Sequence, residues 1–418
     1  MKLIRLSGMA TAVMVALSGL SAPALSNGNF IFMTNPDLAP SRDNGPQPHY
    51  SKIYGYSIDE TTGAFTAVPG TPFASSDGAR LLVIGPKADY AYTANYDDNN
   101  ITTYSFDVST GQLAILANSD SGGRGPSKLQ FSPDGTTAIA TNNITQSLAV
   151  FTIGSNGVLS QASGSPYALG GPPFSPKIHP TGKYVYVLAN SHLYGYSLNA
   201  GTGGLTAING MPMALEAGNN LVMDAAGDNL YIQAGYEKKG YVFSIDQANG
   251  EVSEVKDGRY AVAASGMVLS PSGNFAYAIN FFNKSVPMIF KVDGTTGSLS
   301  TVDPGSVTFG YDPTYLTMSR DGSFLYVPDS QANVIHGYTV NQETGALTEI
   351  TGSPFGTGGT FATRFTISPS GQYGYIGNAQ SHNVSGYSIN QSTGALTALH
   401  GSPFAIDAGA FYMTVYPQ

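Results

Sequence analysis

Glu343-Thr344-Gly345-Ala346-Leu347-Thr348 and Ser392-Thr393-Gly394-Ala395-Leu396-Thr397 differ only at their first residue, and the same pattern runs the length of the chain. It appears as TTGAFT from Thr61, STGQLA from Ser109, SNGVLS from Ser155, GTGGLT from Gly201, ANGEVS from Ala248 and TTGSLS from Thr295. The eight glycines, Gly63, Gly111, Gly157, Gly203, Gly250, Gly297, Gly345 and Gly394, follow one another at intervals of 46 to 49 residues. Glycine suits the left-handed position of a short hairpin loop. So steady a period marks a repeat architecture rather than a string of unrelated domains.

Outward from the hairpin, each unit reads as four strands. The strand before it carries a recurring aromatic: Tyr56, Tyr104, Phe151, Tyr196, Phe243, Phe290, Tyr338 and Tyr387. The strand after it opens on the Leu-Thr pair. Upstream lies a second strand such as Lys183-Tyr184-Val185-Tyr186-Val187, entered through a tight turn: SPDG at Ser132, HPTG at His179, SPSG at Ser270 and Ser368, SRDG at Ser319. Pro presets φ in such turns and Gly tolerates positive φ. A first strand precedes the turn, as in Lys128-Leu129-Gln130-Phe131. Short, evenly spaced strands predict an all-β array, and four strands per repeat of this size match a β-propeller blade. Eight signatures predict eight four-stranded blades; seven is the alternative if one unit is something else. Asn29–Met33 aligns with second strands and Phe411–Val415 with first strands, so the two ends are expected to share one blade and staple the ring. Pro36 to Ser51 reads as an inserted loop in that blade.

The chain begins with Lys2 and Arg5, an apolar run from Met9 to Leu20, and the small residues Ser21 to Ser26. This is the pattern of a secretory signal peptide cleaved after Ala24 or Ser26. Residues 1–26 are therefore expected to be removed and 27–418 to form one propeller, exported to the periplasm or secreted. The apolar run is short of the ~20 residues a membrane span needs. With no Cys, an exported fold must rely on its core rather than on disulfides. Charged residues make up 11% of the chain, net charge is −9, and Lys and Arg are not clustered. That argues against nucleic acid and anionic membranes as partners. A monomer is expected.

The SPDG-like turns, Tyr-x-x-Asn strand ends and Thr-Gly-Ala-Leu-Thr hairpins resemble the lactonase family of propellers, which includes the 6-phosphogluconolactonase type. The resemblance spans essentially the whole mature chain and implies a carboxylic ester hydrolase acting on a lactone. Family members are usually seven-bladed. It also implies a site where first strands begin, marked by a His ahead of the Pro-Asp-Gly turn and by Pro-Arg-His or Pro-Arg-Asp openings. Here Lys128 occupies the His position, and Pro173-Phe174-Ser175 fills a Pro-Arg-His position. The expected Arg of the last unit falls on Thr363, with Arg364 one place later. On a regular strand, one residue turns a side chain to the opposite face. 6-Phosphogluconolactone is cytosolic, so an exported enzyme would use a different lactone.

No catalytic residue is assigned. None of the six His forms a pair at metal or triad spacing; His382, after a second strand, is the best placed. Asn35, Asn95, Asn142, Asn190, Asn280, Asp329 and Asn378 recur at second-strand ends, with Ala234 deviating. They read either as a polar collar that includes ligand-binding Asn142 and Asn378, or as turn-formers. Residues that break the repeat are more informative. Lys128, Gln130, Lys177, Tyr315, Arg364 and Tyr412 fall on first-strand registers and read either as a cluster binding an anion or carbonyl, or as a plug filling a wide channel. Neither cofactor nor metal is expected: calcium requires converging carboxylates, and the first-strand registers offer only Asp224. Two readings stay open: a lactone hydrolase binding a small polar ligand at its channel mouth, and a non-catalytic platform for a protein or glycan.

Overall fold

The computed structural model describes residues 28–35, 51–216, 218, 220–233, 240–256, 258, 260, 264–280, 283–406 and 412–416. The expected signal peptide, the expected Pro36–Ser51 loop up to residue 50, Ala234 and Phe411 lie outside the described residues. Among those described there is no helix, and every sheet is antiparallel. Eight sheets correspond one to one with the eight hairpin signatures. Seven of them run in chain order, for example Ala79–Ile84, Tyr90–Asn95, Asn100–Phe106 and Leu113–Asp120 in blade two. The eighth, blade one, combines both ends of the chain. Its inner strand Tyr412–Tyr416 pairs with Asn29–Asn35, with Met33 opposite Met413 and Phe30 opposite Tyr416. The expected staple is formed.

Successive residues of a strand face opposite sides of its sheet, and here both sides are buried. Phe30 and Phe32 pack towards blade two, whereas Ile31 and Met33 pack towards blade eight. The apolar core accordingly divides into eight clusters, each shared by two neighbouring blades. Alternate strand residues therefore serve alternate interfaces, which is why the strands carry aromatic and aliphatic residues on both faces.

A second device ties blade to blade. Buried tyrosines of second strands donate their hydroxyls to the hairpin glycine of the next blade. Tyr92 reaches the Gly157 carbonyl at 2.9 Å, Tyr186 reaches Gly250 at 2.6 Å and Tyr277 reaches Gly345 at 3.0 Å. Tyr326 reaches Gly394 at 2.7 Å, and Tyr375 closes the circle onto Gly63 at 3.1 Å. The hairpin glycine has positive φ at each of these positions, and in blade eight's case a Cβ on Gly63 would stand 2.6 Å from the Tyr373 ring. The recurring Thr-Gly is thus both a turn and a docking point. In blade one the corresponding residue is Phe32, which has no hydroxyl to give.

Five blades, the first, third, fourth, seventh and eighth, carry an additional two-residue strand at the outer end of the third strand. Each follows a cis proline nine residues after the hairpin glycine: Pro72, Pro166, Pro212, Pro354 and Pro403. In four of these blades the hydroxyl before the proline accepts a third-strand amide, as Ser165 does from Val150 at 2.8 Å and Ser402 from Gly386 at 3.0 Å.

Candidate functional site in the central channel

The innermost strands stand against one another around the axis. Hydroxyls knit some of them together: Thr414 of blade one donates to the Leu82 carbonyl of blade two at 2.6 Å, and Thr317 of blade seven to Phe365 of blade eight at 2.7 Å. Five inner strands are bulged at the same end. One residue is inserted between Ala79 and Leu82, between Pro126 and Lys128, between Phe174 and Lys177, between Ala264 and Gly266, and between Ala362 and Phe365. A bulge re-aims side chains out of strict alternation. This removes the objection that Arg364 is one place off register: it sits in the bulge of blade eight and faces Tyr315 and Lys128.

The bulges assemble a cationic arc. Going round the ring, blade seven contributes Tyr315, blade eight Arg364, blade one Tyr412, blade two Arg80, blade three Lys128 and Gln130, and blade four Lys177. Arg80 donates to the Tyr412 hydroxyl at 3.3 Å, and its guanidinium lies 4.5 Å from the Tyr96 ring centre. Lys128 feels both Arg364 and Arg80, and Lys177 feels Lys128. Gln130 is 9% exposed, and its Nε2 lacks a hydrogen-bond acceptor, as does the buried Nε of Arg80. The lysines, Arg364, Tyr315 and Tyr412 are only partly exposed.

Confinement sets the protonation behaviour. Burial and then the charges of Arg364 and Arg80 bring Lys128 down to about 8. Burial and then Lys128 bring Lys177 to about 8 as well. Burial lowers Arg364, opposed by Tyr315, and burial raises Tyr315, opposed by Arg364. A lysine near 8 is in part a neutral amine at neutral pH, able to accept a proton. Preorganised guanidinium donors are the groups that stabilise a developing oxyanion.

Of the residues singled out from sequence, Lys128, Gln130, Lys177, Arg364 and Tyr412 lie on inner strands, and Tyr315 lies two residues ahead of the inner strand Thr317–Met318. Arg80 was not among them. It occupies the register of Phe174 and Thr363, the position that the sequence resemblance reserves for arginine, but in blade two. Asn142 and Asn378 are both completely buried. Asn142 donates to the Ser121 carbonyl at 3.0 Å, and Asn378 donates to Asn383 at 2.7 Å and to Ser385 at 2.8 Å. These bonds tie strand ends together, while the Oδ1 of each has no hydrogen-bond partner. His382 is exposed, with φ of 52°, and lies on a turn of the rim, apart from the arc. Among the described residues no three His, Asp or Glu side chains converge as metal ligands.

Residues 50–191 and 266–410 match the family described as lactonase, seven-bladed β-propeller. The chain belongs to this family. The lactonase-family match is interrupted over 192–265, the interval that contains all of blade five, Asn220–Met223 through Val252–Glu254. Blade five is also where the Asn collar deviates, at Ala234. The propeller is 23% identical over 305 residues to a protein of Formosa agariphila named 6-phosphogluconolactonase, covering 65% of this chain and 83% of the relative. Its fold is shared with the periplasmic gluconolactonase of Pseudomonas aeruginosa (TM-score 0.59, 17% identity, 93% of this chain and 99% of the other). It is also shared with a candidate 6-phosphogluconolactonase of Bacteroides fragilis (TM-score 0.58, 20% identity, 80% and 98% covered).

Proposed function

We propose that the protein is an exported lactone hydrolase whose reaction takes place in the channel, on the arc formed by Arg80, Lys128, Lys177 and Arg364. The observation that carries this reading is the convergence of lysine, arginine and tyrosine side chains from six consecutive blades in a lactonase-family propeller. The names of the relatives and the signal-peptide pattern support it further.

Lactone hydrolysis needs a base for water and a donor for the tetrahedral oxyanion. Lys128, as the neutral amine, takes the proton from water. Arg364 and the Tyr315 hydroxyl receive the carbonyl oxygen as negative charge develops on it. The ring oxygen leaves as an alcohol, protonated by the Lys128 ammonium formed in the first step. Arg80, held by Tyr412 and Tyr96, places positive charge behind the carbonyl. Unphosphorylated sugar lactones are the substrates that an exported enzyme would meet.

The test is turnover of a panel of sugar and aliphatic lactones by residues 27–418, with Lys128→Ala and Arg364→Ala beside it. Both variants should lose about 100-fold or more in kcat/KM, the range usual for a proton-transfer or oxyanion group. Lys128 should impose an acid limb, with kcat/KM rising through pH 8 to a plateau above it. Variants that turn over every lactone at the parental rate, or a panel with no substrate in it, would favour the non-catalytic platform.

A further inference from the structure

We propose that Lys177 is a nucleophilic amine that captures small α-keto acids and anionic aldehydes as imines. This chemistry uses the same channel as lactone hydrolysis but a different residue. Three features of geometry carry it. Lys177 stands just past the bulge of its strand and is partly exposed. The neighbouring inner strand carries Lys128 beside it and Gln130 at its equivalent register. Gln130 is more than nine-tenths buried and its Nε2 has no acceptor. A buried donor of this kind calls for an acceptor, which a ligand oxygen beside Lys177 would supply. Arg364 and Arg80, both interacting with Lys128, supply the charge that a substrate carboxylate needs.

The step is balanced without any redox partner. The Nζ lone pair attacks the carbonyl carbon, and the ammonium proton passes to the former carbonyl oxygen to give a carbinolamine. A proton taken from solvent converts the hydroxyl to leaving water, and its loss gives a protonated imine whose positive charge replaces that of the ammonium. Burial and a second cation are the two environments that make a lysine nucleophilic, and Lys177 has both. Its value near 8 against an ordinary ~10.4 gives it a neutral fraction at pH 7 about 200-fold larger than that of a surface lysine. Lys128 is the neighbour that supplies repulsion, and water activation is its own role in hydrolysis.

Pyruvate or glyoxylate with cyanoborohydride traps the imine as a secondary amine, which peptide mass mapping assigns to a residue. The expected result is one saturable adduct on Lys177, forming at least about tenfold faster than on Lys87 or Lys183. Its rate should rise through pH 8, and Lys128→Met should move that rise to higher pH while leaving the adduct in place. Lys177→Arg should abolish it; Lys177→Gln, checked by near-ultraviolet circular dichroism, guards against a folding artefact. Adducts spread evenly over surface lysines, or an adduct on Lys128 that persists in Lys177→Arg, would overturn the assignment. Labelling requires no lactone turnover, so either proposal can fail while the other stands.

Discussion

Tyr186→Phe removes a single oxygen from the boundary between blades four and five. The Tyr186 side chain is fully buried and donates to the Gly250 carbonyl at 2.6 Å. Without the hydroxyl, that carbonyl keeps its burial and loses its side-chain donor. The net worth of such a bond is ~1 kcal/mol, and an acceptor left unsatisfied raises the cost to about 1–3 kcal/mol. No volume changes hands, since the ring stays where it packs against Leu221 and Ile232. Equilibrium urea unfolding followed by tyrosine fluorescence should therefore give a lower midpoint at unchanged slope. Tyr311→Phe is the control, because Tyr311 is 73% exposed. The converse substitution tests the same logic: Phe32→Tyr should add a hydroxyl opposite the blade-two hairpin and leave stability unchanged or improved by up to ~1 kcal/mol. If Tyr186→Phe and Tyr311→Phe shift the midpoint equally, the hairpin glycine is only a turn and the tie contributes nothing.

Two further outcomes follow from particular residues. His179 is fully buried between blades four and five, with one ring nitrogen on the Gly227 carbonyl at 3.0 Å and the other at 2.8 Å from the Thr181 hydroxyl. Burial, the largest influence, lowers its pKa below 6.5, so the unfolded chain takes up its proton first as pH falls. Stability is then complete above the unfolded value and is lost as pH drops from 6.5 towards the folded one; His179→Gln should flatten that loss in denaturation curves recorded from pH 7.5 to 5. At the ring closure, Met413 is 6% exposed within the core shared by blades eight and one. Met413→Asp would place an unpaired carboxylate there and should cost at least ~3 kcal/mol; a thermal midpoint within a degree of the parent would mean that the terminal strand does not hold the ring shut.

Blade number, strand order and closure could be read from sequence because they rest on backbone-level signals: a glycine with positive φ, a proline turn and a two-residue alternation. The additional strands were equally accessible, since Pro72, Pro166, Pro212, Pro354 and Pro403 share one spacing from the hairpin glycine. They escape notice because the motif is absent from blades two, five and six. The site was legible only by register. Lys128 and Lys177 stood out as charges on an otherwise apolar strand. Arg80 did not, because strict alternation assigns the channel-facing place to Leu81, and the bulge that overrides it leaves no mark in the residues themselves. For Asn142 and Asn378 the pattern alone does not separate a binding collar from turn-formers: the amide Nδ2 of each is engaged inside the blade, and the Oδ1 has no partner.

The seam of the ring runs through blade one, between its innermost strand and the strand next to it, rather than between two blades. A whole repeat can therefore be gained or lost anywhere else along the gene without altering the residues that meet at the seam, Met33 against Met413 and Phe30 against Tyr416. Copy number and closure become separate inheritances. A ring closed in this way can widen by one unit away from blade one and keep its lock unchanged.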